Sequence, residues 1–378
     1  MKKKQELGIY VHIPFCEKKC DYCDFLSGPA NNKTKDNYIR AILNEIKSYK
    51  ELMQEYLVKT IFIGGGTPSS IQAEYIAKTL EAIEKSFIVQ AEEVTIEVNP
   101  SSITRDKLLT YKEYGVNRLS IGLQSANNEE LKLLGRIHTY EEFLENYKLA
   151  RIIGYDNINI DLISGLPEQG VENWENTLRK VTELSPEHIS AYSLIIEEGT
   201  PLYDKYKQNE QNEENDRLIY KKTKEILEAK AYSRYEISNY AKKGYESKHN
   251  NLYWKRKPYL GIGLGSSSLI NNRRFRKEED LSKYIENSKN HDLLEKDIKK
   301  ISQKEAMEEF MFLGLRIIEG IKKSQFKEEF NISIEDVYAS VIEQSIKEGV
   351  IEENDGRIFL TDYGLDVSNY VMARFLLD

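Results

Sequence analysis

Cys16-Glu-Lys-Lys-Cys20-Asp-Tyr-Cys23 places all three cysteines of the chain within a single short segment. An odd, clustered set is poor material for disulfides and good material for a metal. A CxxxCxxC loop can wrap three thiolates around one iron–sulfur cubane. Most [4Fe–4S] sites use four cysteines, so three leave one iron with an open position. The amino and carboxylate groups of S-adenosylmethionine (SAM) can chelate such an iron, and a reduced cluster can then pass one electron to the sulfonium and break a C–S bond. Zinc is the competing metal. It wants a fourth ligand, which His12 can supply, but the paired CxxC units of a zinc ribbon are absent. The spacing favours the cluster over zinc.

Elements must hold that loop against a pocket. Short β-rich runs occur at 8–13, 59–63, 94–98, 118–122, 158–164 and 188–196, with helical stretches at 36–53, 72–87, 140–154 and 171–184. Repeated strand–helix units imply a parallel sheet with right-handed crossovers, closing as an open or partial barrel. Side chains alternate faces along a strand. Ile9, Val11 and Ile13 therefore oppose Tyr10 and His12. Val94, Ile96 and Val98 oppose Thr95 and Glu97, and Ile158, Ile160 and Leu162 oppose Asn159 and Asp161. The apolar faces should meet outer helices and leave a polar lumen, unlike the aliphatic centre of a closed eight-stranded barrel.

Further on, residues 204–217 are very polar and read as an exposed loop running into a helix. A helical pattern resumes at 302–318, and Ile334, Val337, Val341, Ile342 and Ile346 make an amphipathic stripe. Asp355-Gly356 lies between two β-like runs, a hairpin signal. These features predict a smaller α+β, winged-helix-like C-terminal domain. The expected division is a core barrel over 1–200, a connecting region packed on it over 201–300, and the C-terminal domain over 301–378.

The formal net charge of −8 opposes broad attraction to nucleic acid, and the acidic 346–355 segment opposes a nucleic-acid-binding regulator. Apolar runs such as Ile61–Phe62–Ile63 fall far short of a membrane span. The start lacks the apolar stretch of a signal peptide, so a cytoplasmic protein is expected.

Three further features bear on the pocket. Gly64-Gly65-Gly66-Thr67-Pro68 follows the second strand without the Lys-Ser/Thr of a Walker loop, and glycines permit close approach of backbone to ligand. Glu97 faces the lumen, where it can accept from an amino group or a ribose hydroxyl, or else pair with Arg118. Tyr10 can stack near an adenine or simply fill the lumen. Gly261-Ile-Gly-Leu-Gly265 lacks dinucleotide-binding spacing and reads as a tight strand or loop against the barrel.

Six segments occur in order: YVHIPFCEKKCDYCDF from Tyr10, Ile63-Gly-Gly-Gly-Thr-Pro68, Ile96-Glu-Val-Asn-Pro100, Ser120-Ile-Gly-Leu-Gln-Ser125, Leu134-Gly-Arg-Ile-His138 and Asp161-Leu-Ile-Ser-Gly-Leu-Pro167. Together they resemble the oxygen-independent coproporphyrinogen III oxidase group of radical SAM proteins, over nearly the whole chain. Within the group the chain is most similar to the heme chaperone (HemW) branch. The oxidases carry a fourth cysteine two residues after the third, where this chain has Phe25, and an extension before the cluster strand, whereas Cys16 here lies near the start. Glu236-Ile-Ser-Asn-Tyr-Ala241 followed by His249-Asn-Asn-Leu-Tyr-Trp254 matches the HNxxYW segment of the chaperone branch.

The resemblance implies a radical SAM partial (β/α)6 barrel. It implies a [4Fe–4S] cluster on Cys16, Cys20 and Cys23, with SAM near Tyr10, Gly65, Gly66, Thr67, Glu97, Gln124, Arg136 and Asp161. His12 and His138 are expected near that cavity, and His249, flanked by Tyr253 and Trp254, is the heme-ligand candidate. The implied function is heme binding and delivery to apo-proteins, with a homodimer expected. The alternative is an enzyme converting coproporphyrinogen III to protoporphyrinogen IX, which Phe25 argues against.

Overall fold

The computed structural model describes residues 4–207 and 213–377. Among them, twelve strands form one mixed sheet: β1 (Gln5–Ile13), β2 (Tyr56–Gly65), β3 (Val89–Val98), β4 (Arg118–Gln124), β5 (Ile158–Ser164), β6 (His188–Ser193), β7 (Ser233–Arg234), β8 (Asn239–Ala241), β9 (Tyr259–Ile262), β10 (Ser267–Ile270), β11 (Arg273–Lys277) and β12 (Glu295–Lys300). β1 to β6 lie side by side in chain order, all parallel. Between them run α1 (Asn32–Ser48), α2 (Ala73–Ser86), α3 (Arg105–Glu113), α4 (Asn128–Leu133), α5 (Tyr140–Ile153) and α6 (Val171–Glu183). This is the expected partial barrel of β/α units.

The alternation explains the layering. Ile9, Val11 and Ile13 are fully buried with Tyr38, Ile42 and Ile46 of α1 in the main core. Truncating such a residue to alanine costs about 2–5 kcal/mol. Local signals bound the helices: Thr139 and Glu142 form a capping box on α5, and Gly154 ends it at φ 94°.

Residues 201–300 do more than pack on the barrel, because they lengthen its sheet at both edges. β9 pairs in parallel with β1 through Gly8–Val11, and β8 pairs antiparallel with β6. The glycine-rich 261–265 segment is thus partly a barrel strand. A Cβ on Gly261 would lie 2.3 Å from the Ser267 carbonyl oxygen, so the hairpin requires a bare backbone there. β6 ends at Ser193 instead of reaching Ile196. The polar stretch is more helical than expected, with helices at Pro201–Tyr206 and Glu213–Ala229; its residues 208–212 lie outside the described residues.

The C-terminal part has its own apolar core. Helices Gln303–Gly314, Lys323–Phe330 and Ile334–Lys347 precede β14 (Ile351–Asn354) and β15 (Arg357–Leu360), which pair with the short β13 (Ile321–Lys322). Asp355 and Gly356 both take positive φ, 49° and 70°, as a type I′ hairpin turn requires. One expectation fails: the buried face of Ile334–Lys347 is Ile334, Tyr338, Ile342 and Ser345, whereas Ile346 is exposed. At 100° per residue, Ser345 returns to the face of Ile334 while Ile346 lies about 120° away. No helix among the described residues is long and apolar enough to cross a membrane.

Candidate functional site

The register gathers the polar faces of the parallel strands in rows. Thr95 lies opposite Arg118, Glu97 opposite Ser120, Ser120 opposite Asn159, and Gly122 opposite Asp161. Tyr10 and His12 complete the wall from β1, with Phe62 stacked on Tyr10 at 6.2 Å between ring centroids.

The cysteine loop leaves the C-terminal end of β1 and is tied down on several sides. Cys16 N donates to Gly28 O at 3.2 Å, and Thr67 N and Gly66 N donate to Phe15 O and Ile13 O at 2.7 and 2.9 Å. Asp21 N reaches Leu134 O at 3.0 Å, which anchors the loop to the end of α4. Burial raises the Cys16 and Cys23 thiols above their usual pKa, and the neighbouring sulfurs add to the effect. Arg136 bridges the loop to the barrel, its Nη1 3.5 Å from Cys20 Sγ and its Nη2 donating to Gly122 O at 2.6 Å.

His12 does not join the cysteines. One ring nitrogen meets the Tyr10 hydroxyl and the other Leu26 O, each at 3.0 Å, so the imidazole pins the loop to β1. Among the described residues no three His, Cys, Asp or Glu side chains converge on one metal ion. His12, with both ring nitrogens engaged elsewhere, is not placed as a fourth ligand beside the cysteines.

Gly65, Gly66 and Thr67 curve beneath this loop. Gly65 has φ 116°, and a Cβ there would meet the His12 ring at 2.6 Å; on Gly66 it would meet Phe15 O at 2.8 Å. Both conformation and space therefore require glycine at position 65. Glu97 Oε2 accepts from Gly65 N at 3.0 Å and makes no ion pair with Arg118, whose Nη1 instead makes a long contact of 3.5 Å to Thr95 Oγ1. Burial first, then the Asp161 charge, pushes the Glu97 carboxyl up to about 8.

Asp161 accepts from Ser120 Oγ at 2.9 Å and from Asn159 Nδ2 at 2.8 Å. Gln124 ends β4 with φ 74°, a left-handed conformation uncommon outside glycine and concentrated at functional sites. His138 supports this bend through a 3.2 Å bond to Leu123 O. Gly65, Gly66, Thr67, Glu97 and Gln124 thus lie at or just past the C-terminal ends of β2, β3 and β4, and Arg136 on the loop after α4, whereas Tyr10 and Asp161 lie in the middle of β1 and β5.

His249 lies elsewhere. It is buried beneath the lumen, with one ring nitrogen 2.7 Å from Thr60 Oγ1, the other 2.8 Å from the Tyr253 hydroxyl, and its ring stacked on Phe62. Burial drives its pKa down to about 3. Tyr253 packs edge-on against Tyr259, and Trp254 lies under the Arg316 guanidinium. Both of its ring nitrogens are thus hydrogen-bonded inside the barrel. The HNxxYW segment closes the lumen floor, held by Glu93, which accepts from Lys248 N and His249 N at 2.9 and 3.1 Å.

The sequence reading missed that floor. His188 joins Asn159 and the Tyr235 hydroxyl at 2.6 and 2.8 Å. The parity of β3 and β6 could have pointed to Glu93 and His188, but nothing local marks Tyr235.

Comparison with known proteins matches residues 10–181 to the Radical SAM superfamily and 301–367 to the HemN C-terminal domain. Heme chaperone HemW of Bacillus subtilis (strain 168) is 34% identical over 372 residues, covering 97% of this chain and 98% of that protein. Heme chaperone HemW of Escherichia coli (strain K12) is 32% identical over 390 residues, covering 100% of both. The chain belongs to the HemW family. Its fold matches that of coproporphyrinogen III oxidase (HemN) from Escherichia coli, with a TM-score of 0.86 at 23% identity, covering 99% of this chain and 90% of that one.

Membership of the radical SAM superfamily implies SAM and a [4Fe–4S] cluster. The residues present fit both. Three soft thiolates share one anchored loop with a guanidinium beside them. Next to that loop, bare glycine backbone and a lumen carboxyl leave room and polarity for an amino-acid-like ligand.

Proposed function

We propose that this protein is a heme chaperone, binding heme and passing it to apo-proteins with the help of a radical SAM centre. The observation that carries this reading is identity along the full length to proteins named for that role. Phe25 adds to it. Where the oxidases carry a further cysteine, this chain has a largely exposed ring, 63% accessible, on the cluster loop.

In this reading Cys16, Cys20 and Cys23 hold the cluster, which when bound supplies an open iron for SAM and one electron for its cleavage. Arg136 sets positive charge against the Cys20 sulfur. Gly65, Gly66 and Thr67 offer close backbone to the methionine end of SAM. Glu97, poised between neutral and charged forms, accepts from a cationic or hydroxyl group and ionises when a cation arrives. Tyr10 supplies an aromatic face at the lumen wall. Gln124 and Asp161 present an amide and a carboxylate along the opposite rim. The three-part division at 1–200, 201–300 and 301–378, a cytoplasmic location and a homodimer belong to the same proposal.

One sample tests the reading. Protein reconstituted anaerobically with iron and sulfide is given hemin and then an apo-hemoprotein; heme binding followed by transfer is the expected result. The same sample, given coproporphyrinogen III, SAM and reductant, should form no protoporphyrinogen. Turnover there without heme transfer would overturn the chaperone reading.

A further inference from the structure

One charge in the lumen has no counterpart. Arg118 opens β4 on the lumen side, since its neighbours Leu119 and Ile121 face the main core. It is 2% exposed, yet its guanidinium makes a single long hydrogen bond, from Nη1 to Thr95 Oγ1 at 3.5 Å. Nε is buried without a partner, Nη2 makes no hydrogen bond, and no carboxylate pairs with the group among the described residues. Arg256, whose side chain is also nearly buried, shows the usual arrangement: it pairs with Glu309 and Glu329 at 2.8 and 3.2 Å.

The surroundings of Arg118 do not supply the missing anion. His188, His249 and Tyr235 stand close enough to feel its charge. Burial first, and then Arg118, lowers the pKa of both histidines, so both are neutral. Burial raises the Tyr235 phenol, and Glu97, at about 8, is mostly protonated at neutral pH. A buried charge without a partner is costly, and a well-shaped anion offsets that cost.

The lumen is open at this level. The register sets Tyr10, Phe62, Thr95 and Arg118 in one row around it, and Tyr10 and Phe62 are only partly buried. The unused donors on Nε and Nη2 share one edge of the planar guanidinium. Two parallel N–H groups on such an edge match the two oxygens of a carboxylate.

We propose that Arg118 receives the carboxylate of a small ligand in the lower lumen, through paired hydrogen bonds from Nε and Nη2. The carboxylate of SAM is assigned to the open iron, so this ligand is a separate molecule. The inference goes beyond the heme-chaperone reading and does not depend on it.

The test titrates sodium formate by calorimetry into the full chain carrying its cluster, with and without saturating SAM, at an ionic strength held constant with sodium chloride. Wild type should bind formate in both conditions. Arg118→Met should bind it about tenfold more weakly, and Arg118→Lys should fall between, because lysine keeps the charge without the paired edge. Urea unfolding adds a second readout. Without formate the Arg118→Met midpoint should equal or exceed that of wild type, because an unpaired buried charge is gone; formate should raise the wild-type midpoint alone. Equal formate binding in wild type and Arg118→Met, or none in wild type, overturns the site. Formate binding that vanishes on adding SAM overturns a separate ligand. An Arg118→Met midpoint well below wild type without formate makes Arg118 a structural cation and overturns the unpaired-charge argument. Failure of heme transfer, measured apart, would strike the chaperone reading and leave this site standing.

Discussion

Replacing Glu97 by glutamine should stabilise the protein at high pH while weakening SAM binding. The carboxyl sits in the lumen wall with its Oε2 on Gly65 N, and its pKa is raised from 4.5 to about 8 by burial and by Asp161. Because the folded pKa lies above the unfolded one, the folded chain keeps this proton over a window in which the unfolded chain has lost it. The favourable contribution is complete below about pH 4.5 and is lost as pH rises toward about 8. At about 1.4 kcal/mol per pKa unit, the rise from 4.5 to about 8 corresponds to about 5 kcal/mol. Glu97 keeps part of its surface toward the mouth, so that figure is an upper bound. Glutamine matches the carboxyl in shape but cannot ionise. Urea unfolding of the two proteins at pH 5.5 and pH 8.5 should therefore show the variant gaining on the wild type at the higher pH. SAM titration by calorimetry on the same variant, with cluster content unchanged, should show weakened binding, because the neutral amide offers a cation less. Parallel pH profiles for the two proteins would refute the buried-carboxyl argument, and wild-type SAM affinity in the variant would remove Glu97 from the SAM site.

Three other substitutions probe the cluster loop, the glycine turn and the lumen floor. Arg136→Ala removes a guanidinium 3.5 Å from Cys20 Sγ, so the cluster should become harder to reduce; an EPR-monitored redox titration should show a lower midpoint potential, and an unchanged one would contradict the electrostatic role. Gly65→Ala must combine φ 116° with a Cβ 2.6 Å from the His12 ring, so it should cost about 1–3 kcal/mol in backbone strain alone, and iron and sulfide analysis should show reduced cluster incorporation. His249→Ala loses two hydrogen bonds inside the barrel and leaves a cavity, a cost of about 2–5 kcal/mol by urea unfolding; an unchanged unfolding midpoint would contradict its structural part in the lumen floor.

What could be read from the sequence was whatever short-range geometry decides. The alternation of Ile9, Val11 and Ile13 with Tyr10 and His12 fixes which side chains enter the lumen wherever the strand lies, since a strand buried on both faces still separates them. The glycine run and the cysteine loop are equally local: Gly65 needs its positive φ because the chain must pass under the residues that follow β1. The helix boundaries at Gly154 and the turn at Asp355-Gly356 come from the same kind of rule.

The floor of the lumen obeys no such rule. His249, Tyr253 and Tyr235 belong to a segment more than a hundred residues beyond β3 and β4 in the chain, and no periodicity says that it closes their barrel. The resemblance identified His249 as important, but importance does not specify chemistry. Its imidazole lies between Thr60 and Tyr253 with its ring on Phe62, a placement that only the folded chain shows. The same long-range packing brings Arg234, at the sheet edge, over Tyr220 on a helix before it, and nothing in the sequence marks that contact. Where a buried cation settles depends on which distant elements fold against it. That is why the cluster loop was legible from eight residues while the packing of Arg234 on Tyr220 became visible only in three dimensions.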